Sequence, residues 1–365
     1  MNILIIKTQE KRNRYRFVSA PLREIENVNV TIFEDKRNIL SFIYRSFLYA
    51  IRNENFDIIL IIGGDFKNSF WALLAKIFIK AKVICRLGGD PILVVERTIK
   101  TILKKHQFSK YVKLSINLFI TRILLRHIDG AIVVNNEFLV SKIKEFAKKD
   151  FPITVIPQVA EAKIDSSTMS REPKSDLNLL TVTNLAYEEK YEGVIAIIKH
   201  LIHYVRTNKL DTKIIFDILG GGYYLLELNR FLEKYKELPN NLKINVHGYV
   251  DALEFFYKSA DIFIYCSTMD ATPNVLLEAQ SYGLALLVNS YEPFYNILLE
   301  DVNSLYFDKD DYGSFCSSFA KLFTNKAFRD AMSYNNIENI KKKYSLATVA
   351  QKWEELLLNK GMLIK

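Results

Sequence analysis

Cysteine is scarce in this chain. Its three cysteines, Cys85, Cys266 and Cys316, stand far apart without a CxxC pair, a pattern that points away from a disulfide framework or a thiolate zinc site and toward reduced thiols in the cytoplasm. Histidine is scarce too: among five, only His200 and His203 share a useful spacing, and no metal site is expected there. No apolar run approaches the roughly 18 residues that a membrane span needs. The amino end, Met1 to Lys7, reads as a short strand and lacks the long apolar core of a signal peptide. Internal repeats and low-complexity tracts are missing as well, which sets solenoids and disordered tails aside.

What remains is a globular composition, 49% apolar and 25% charged over 365 residues, a length suited to two domains of about 100 to 200 residues each. Charge is unevenly shared. Residues 1–178 hold 30 Lys and Arg against 18 Asp and Glu, whereas residues 179–365 hold 20 against 23. Arg97 to Ile128 carries eight Lys and Arg, among them Arg97, Lys110, Lys113 and Arg126, and no acid, with Phe108, Tyr111 and Phe119 interleaved. Such a segment suits an anionic bilayer surface; an ordinary solvated helix with its apolar side in the core has the same composition. No nucleic-acid recognition motif accompanies the charge, and nucleic acid is not an expected partner.

Strand-like and helix-like segments alternate along the chain, the pattern of parallel sheets. The first half has expected strands at 2–7, 28–33, 57–62, 82–87, 130–134 and 153–156. The second has them at 178–182, 213–219, 243–246, 262–266, 285–289 and 304–307. The polar tract from Glu161 onward supplies an expected linker over 161–177. It divides a domain at 1–160 from one at 178–345, and a closing helix over 346–365 is expected to pack back on the first domain through Val349, Trp353, Leu356 and Leu357.

The segment Asp270-Ala-Thr-Pro-Asn-Val-Leu-Leu-Glu278-Ala-Gln-Ser-Tyr-Gly283 is the most informative. Thr272 is the expected N-cap before Pro273, which opens a helix without wasting a donor. Asp270 then lies on the incoming loop and Glu278 about a turn inside. The free N–H groups of Asn274 and Val275 and the helix dipole suit an anion, with carboxylates at hand for hydroxyls. Buried strands on both sides put this segment where ligands gather in parallel sheets.

Here the chain resembles the retaining glycosyltransferases of family 4, whose Glu-x7-Glu donor signature is written with Asp270 and Glu278, followed by Ala279 and Gly283. The resemblance runs from about Asn178 to Phe307. The fold it implies is GT-B: two Rossmann-like, doubly wound α/β domains facing an interdomain cleft. Leu179 to Leu185 with Lys190 and Gly193 look like the family's Arg-x5-Lys-Gly element, which holds the donor diphosphate; Lys190 takes the lysine position and Asn184 replaces the arginine. Gly220, Gly221 and Gly222 are similar to the Gly-x-Gly turn after the same strand, although tight turns want glycine too. Gly248 and Tyr249 match the element that contacts the nucleobase, while His247 reads as a satisfied structural histidine.

In the first half, Arg86, Gly88, Gly89 and Asp90 follow a buried strand on the acceptor side. Arg86 suits a phosphate or an acidic sugar, and Asp90 either orients an acceptor hydroxyl or closes an Asx turn before Pro91. The resemblance implies a hexosyltransferase-type enzyme that moves a sugar from a UDP- or GDP-linked donor to a glycan or lipid-linked acceptor. Asp270, Glu278, Lys190 and Asp90 are its expected catalytic residues, and no metal or cofactor is expected. The expected setting is the cytoplasm, at the inner face of the plasma membrane, in polysaccharide or glycolipid synthesis. The alternative is a catalytically retired GT-B protein that serves as a scaffold, motivated by Asn184 and by the shorter Asp270.

Overall fold

The computed structural model describes residues 1–6, 16–33, 39–53, 55–63, 66–89, 92, 95, 96, 99, 108–134, 137–165, 175–235, 238–270 and 272–358. The chain divides into two compact units, Met1–Val159 with Tyr344–Lys365, and Ala160–Lys343. Each is a six-stranded parallel sheet with helices around it, and among the described residues every expected strand is present.

In the first unit the strands are β1 (Asn2–Ile6), β2 (Asn29–Phe33), β3 (Ile58–Ile62), β4 (Lys82–Leu87), β5 (Gly130–Val133) and β6 (Ile153–Val155), ordered β2-β1-β3-β4-β5-β6. Ile-rich runs such as Ile58-Ile-Leu-Ile-Ile62 are nearly continuous in apolar residues because both faces of a parallel sheet are covered. One face carries Ile3, Ile5, Ile58, Leu60 and Ile84 in a single core with Val349, Trp353, Leu356 and Leu357 of the closing helix Leu346–Leu358.

The second unit has β7 (Asp176–Val182), β8 (Lys213–Leu219), β9 (Leu242–Gly248), β10 (Ile262–Tyr265), β11 (Ala285–Asn289) and β12 (Leu305–Phe307), ordered β12-β11-β10-β7-β8-β9. The chain winds outward one way from β7 and then the other way from β10. This reversal opens a crevice at the carboxyl ends of β7 and β10, the place where doubly wound sheets bind ligands. The helix Glu188–Thr207 crosses here, burying Val194, Ile197, Ile198 and Leu201.

The expected linker covers 161–177. Lys163 donates its N–H to Ser281 O at 2.8 Å and β7 starts at Asp176, so both ends of the tract already belong to the second unit. Its residues 166–174 lie outside the described residues.

Candidate active site

The centre of the second unit is β10, whose four residues are buried, and the loop that leaves it. Ser267 donates its N–H to Asn289 Oδ1 at 2.8 Å, which ties this loop to the end of β11. From that anchor Ser267 Oγ donates to Asp270 Oδ2 at 2.7 Å, and Tyr265 OH donates to the same oxygen at 2.7 Å. Lys190 completes the cluster. Its ammonium lies 3.0 Å from Asp270 Oδ1, 2.9 Å from Oδ2 and 3.3 Å from Tyr265 OH.

Lys190 is buried in the first turn of its helix, beside the positive end of the dipole, where a cation is disfavoured unless an anion answers it. The answering anion is the Asp270 carboxylate. Burial and then the Asp270 charge push the Tyr265 phenol well above its ordinary range, so Tyr265 stays a neutral donor at any physiological pH.

The helix that follows spans Asn274–Ser281 and ends at Gly283, which takes φ 59°. Pro273 occupies the N-cap, with no side-chain cap, and the buried Thr272 hydroxyl has no partner among the described residues. The expected capping role of Thr272 is therefore corrected: the helix starts one residue later than that role requires. Asn274 and Val275 occupy the first two positions of the helix, at the positive end of its dipole. Glu278 sits further in, and its Oε2 accepts a bond from Tyr257 OH at 2.9 Å. Tyr257 in turn stacks on Tyr282, with centroids 5.2 Å apart and planes 1° from parallel.

The glycine triplet lies at the exit of β8. Gly220 and Gly222 take φ 145° and 150°, and a Cβ on either would overlap the backbone of Thr183 to Ala186. Thr183 N–H bonds to Leu219 O, Leu185 N–H to Gly221 O, and Gly220 N–H to Gly248 O. The close approach is thus between the exits of β7, β8 and β9. Asn184 is an exposed turn residue whose Oδ1 accepts the Ala186 N–H at 3.1 Å. Tyr249 is exposed beside Gly221, and His247 Nε2 meets Asp217 Oδ1 at 2.7 Å.

Residues 165–339 match the family model described as Glycosyl transferases group 1. Sucrose-phosphate synthase from Thermosynechococcus elongatus superimposes with a TM-score of 0.71 at 11% identity, over 98% of each chain. A glycosyltransferase from Rickettsia africae gives 0.70 at 14%, over 98% of this chain and 99% of that one. Anabaena Alr3699/HepE, solved with UDP-glucose, gives 0.68 at 13% over the same shares. The fold is GT-B. No curated protein matches the chain in sequence. The family match and the GT-B neighbours together support a glycosyltransferase.

Within this GT-B chain the structure brings Lys190 onto Asp270. It sets Glu278 about one turn along the helix that Asp270 precedes, and lines Asn184, Gly220 to Gly222, Gly248 and Tyr249 along the same sheet edge. Arg86, Gly88 and Gly89 belong to the first unit, at the exit of β4; Asp90 lies outside the described residues. Sequence reasoning missed Tyr257, Tyr265, Ser267 and Asn289. A tyrosine in a wholly buried strand needs a partner for its hydroxyl, and that was the available signal for Tyr265. Among the described residues no group of three His, Cys, Asp or Glu is placed to hold a metal ion.

Proposed function

We propose that this protein transfers a sugar from a nucleoside-diphosphate donor, UDP- or GDP-linked, to a hydroxyl of a glycan or lipid-linked acceptor, with retention as in family 4. The observation that carries this reading is the Lys190–Asp270 pair at the switch point of a doubly wound sheet, with Glu278 on the adjoining helix. Glu278, oriented by Tyr257, bonds the ribose. Asp270, held by Tyr265 and Ser267, accepts hydroxyls of the transferred sugar. Lys190 and the Asn274 and Val275 amides stabilise the charge that grows on the departing diphosphate, where most of the rate arises. The complexes of Anabaena HepE with UDP, UDP-glucose and glucose lend support to a nucleotide-sugar donor.

Peripheral membrane binding belongs to the same proposal. On the helix Phe108–His127, Phe108, Val112, Ile116 and Phe119 are all exposed at spacings of four, four and three, and lie opposite the buried Thr121, Leu124 and Leu125. A helix apolar on both faces has one face too many for its own core. Among the described residues no helix is long and apolar enough to cross a membrane. Unchanged cosedimentation of a Phe119→Glu variant with anionic vesicles at low salt would remove this part.

The scaffold reading draws on Asn184, which offers no charge to a diphosphate. Thermal melting with UDP, GDP, ADP and CMP, beside an Asp270→Asn, Glu278→Gln variant, decides between the two. A ligand at 100 times its Kd stabilises by about 2.7 kcal/mol, worth roughly 5 to 10 °C for a unit of this size. A shift with one nucleotide that the variant loses is expected; no shift with any of the four would overturn the enzyme.

A further inference from the structure

Strand β4 runs through the middle of the first unit's sheet, between β3 and β5. Its last five residues are buried, and one of them is Arg86, at 4% exposure. The register places Arg86 beside Ile62 and Ile132, two residues beyond Ile84 and therefore on the face that packs the apolar core. Its Nε and Nη2 are both buried, and among the described residues neither has a hydrogen-bond partner. Among the described residues no carboxylate pairs with it. Burial alone lowers the guanidinium to about 10, with no neighbouring charge to raise it, so it is cationic at neutral pH.

A buried cation without an anion is strongly unfavourable, and a leucine or methionine would fill the same volume without that penalty. Two details say what answers it. Nε and Nη2 are the two donors on one edge of the guanidinium plane, the edge that takes two oxygens of a carboxylate or phosphate side-on. The chain beyond is open as well, since among the described residues a Cβ added to Gly88 or Gly89 meets nothing within 4 Å. Arg86 also stands at the carboxyl end of its strand, where such sheets hold ligands.

We infer that Arg86 anchors an anion site in the first unit, one that takes a phosphate or carboxylate carried by the acceptor. The acceptor half of this statement rests on the glycosyltransferase reading; the anion site does not. The test is thermal melting of the whole chain in chloride buffer at fixed ionic strength, with millimolar inorganic phosphate, glucuronate or UDP added separately. Wild type, Arg86→Met and Arg86→Lys are compared. In wild type, phosphate or glucuronate raises Tm by about 2 °C or more, a size expected for weak ligands, and the probe that responds names the chemistry. Arg86→Met melts at or above wild type without an added anion and loses the response. Arg86→Lys keeps the charge but not the fork, and needs at least fivefold more probe for the same shift. UDP shifts all three alike. Equal responses to phosphate and glucuronate in wild type and Arg86→Met, no response in wild type, or a lower melting point for both variants without anion would each overturn the site. Failure of UDP alone would remove a UDP-linked donor and leave the anion site standing.

Discussion

Gly193→Ala tests the geometry on which the candidate site depends, because two effects of opposite sign compete. Gly193 lies three residues after Lys190 in the helix Glu188–Thr207. On propensity alone, alanine in a helix interior stabilises by about 1 kcal/mol. A Cβ at this position, however, would overlap Cys266 O and lie 3.0 Å from the Cys266 carbonyl carbon and 3.1 Å from its Cβ. Carbon atoms rest comfortably at about 3.5 to 4.0 Å, so the helix and the end of β10 must separate by roughly 0.5 to 1 Å. The opposing atoms are mainly backbone, and Val194, Ile197 and Ile198 pin the helix on its other turns. Overpacking of this kind costs about 1 to 3 kcal/mol, here at the upper end. The net expectation is a loss of about 2 kcal/mol, or roughly 4 to 8 °C in Tm.

The same displacement carries Lys190, one turn earlier, away from Asp270 and Tyr265. A misplacement near 1 Å at reacting groups costs about 100-fold in rate. Melting curves and a UDP titration on the variant supply both readouts. Gly313→Ala is the control, since its Cβ meets nothing nearer than the Asp311 carboxylate oxygen at 3.3 Å. A Gly193→Ala protein that melts at or above wild type and binds UDP unchanged would show that the helix is not seated against Cys266, and the account of how Lys190 reaches Asp270 would fall with it.

Two other perturbations follow from the tyrosines. Tyr257→Phe keeps the ring stack on Tyr282 but removes the hydroxyl that orients Glu278, so a loss of about 0.5 to 1.5 kcal/mol in stability is expected, together with a raised KM for the donor; an unchanged KM would show that Tyr257 does not position Glu278. Burial holds Tyr257, Tyr265 and Tyr306 well above the ordinary tyrosine range, and Tyr344 at about 12. The folded values exceed the unfolded ones, so this stability is fully present below about pH 10 and is lost as pH rises toward the folded values; a urea midpoint that stays flat from pH 9 to 11.5 would contradict it.

Parallel strands were easy to read because covering both faces makes them continuous apolar runs, as in β3 and β11. The acidic pair was readable because Pro273 and Gly283 bracket its helix. What escaped is whatever depends on partners brought together through space. Lys190 and Asp270 are 80 residues apart, and nothing in the spacing says that each is the other's counter-ion. Thr272 has the right chemistry for a cap, yet Pro273 takes the N-cap position. The glycine triplet comes close to the Thr183–Ala186 backbone, a partner that the glycines alone do not name.

These through-space partners also bear on the shorter acid. Asp270 is one methylene shorter than the glutamate of the family signature, and the hydroxyls of Tyr265 and Ser267 meet it where it ends. Both donate to Oδ2, and Ser267 is itself fixed by Asn289. Among the described residues Oδ1 accepts only from Lys190, while a carboxylate has about four acceptor positions over its two oxygens. With the side chain 23% exposed, Oδ1 therefore keeps acceptor capacity in the crevice between β7 and β10. Pinning one oxygen and leaving the other available is what orienting a sugar hydroxyl would ask of a carboxylate, and the role proposed for Asp270 therefore does not need the length of a glutamate.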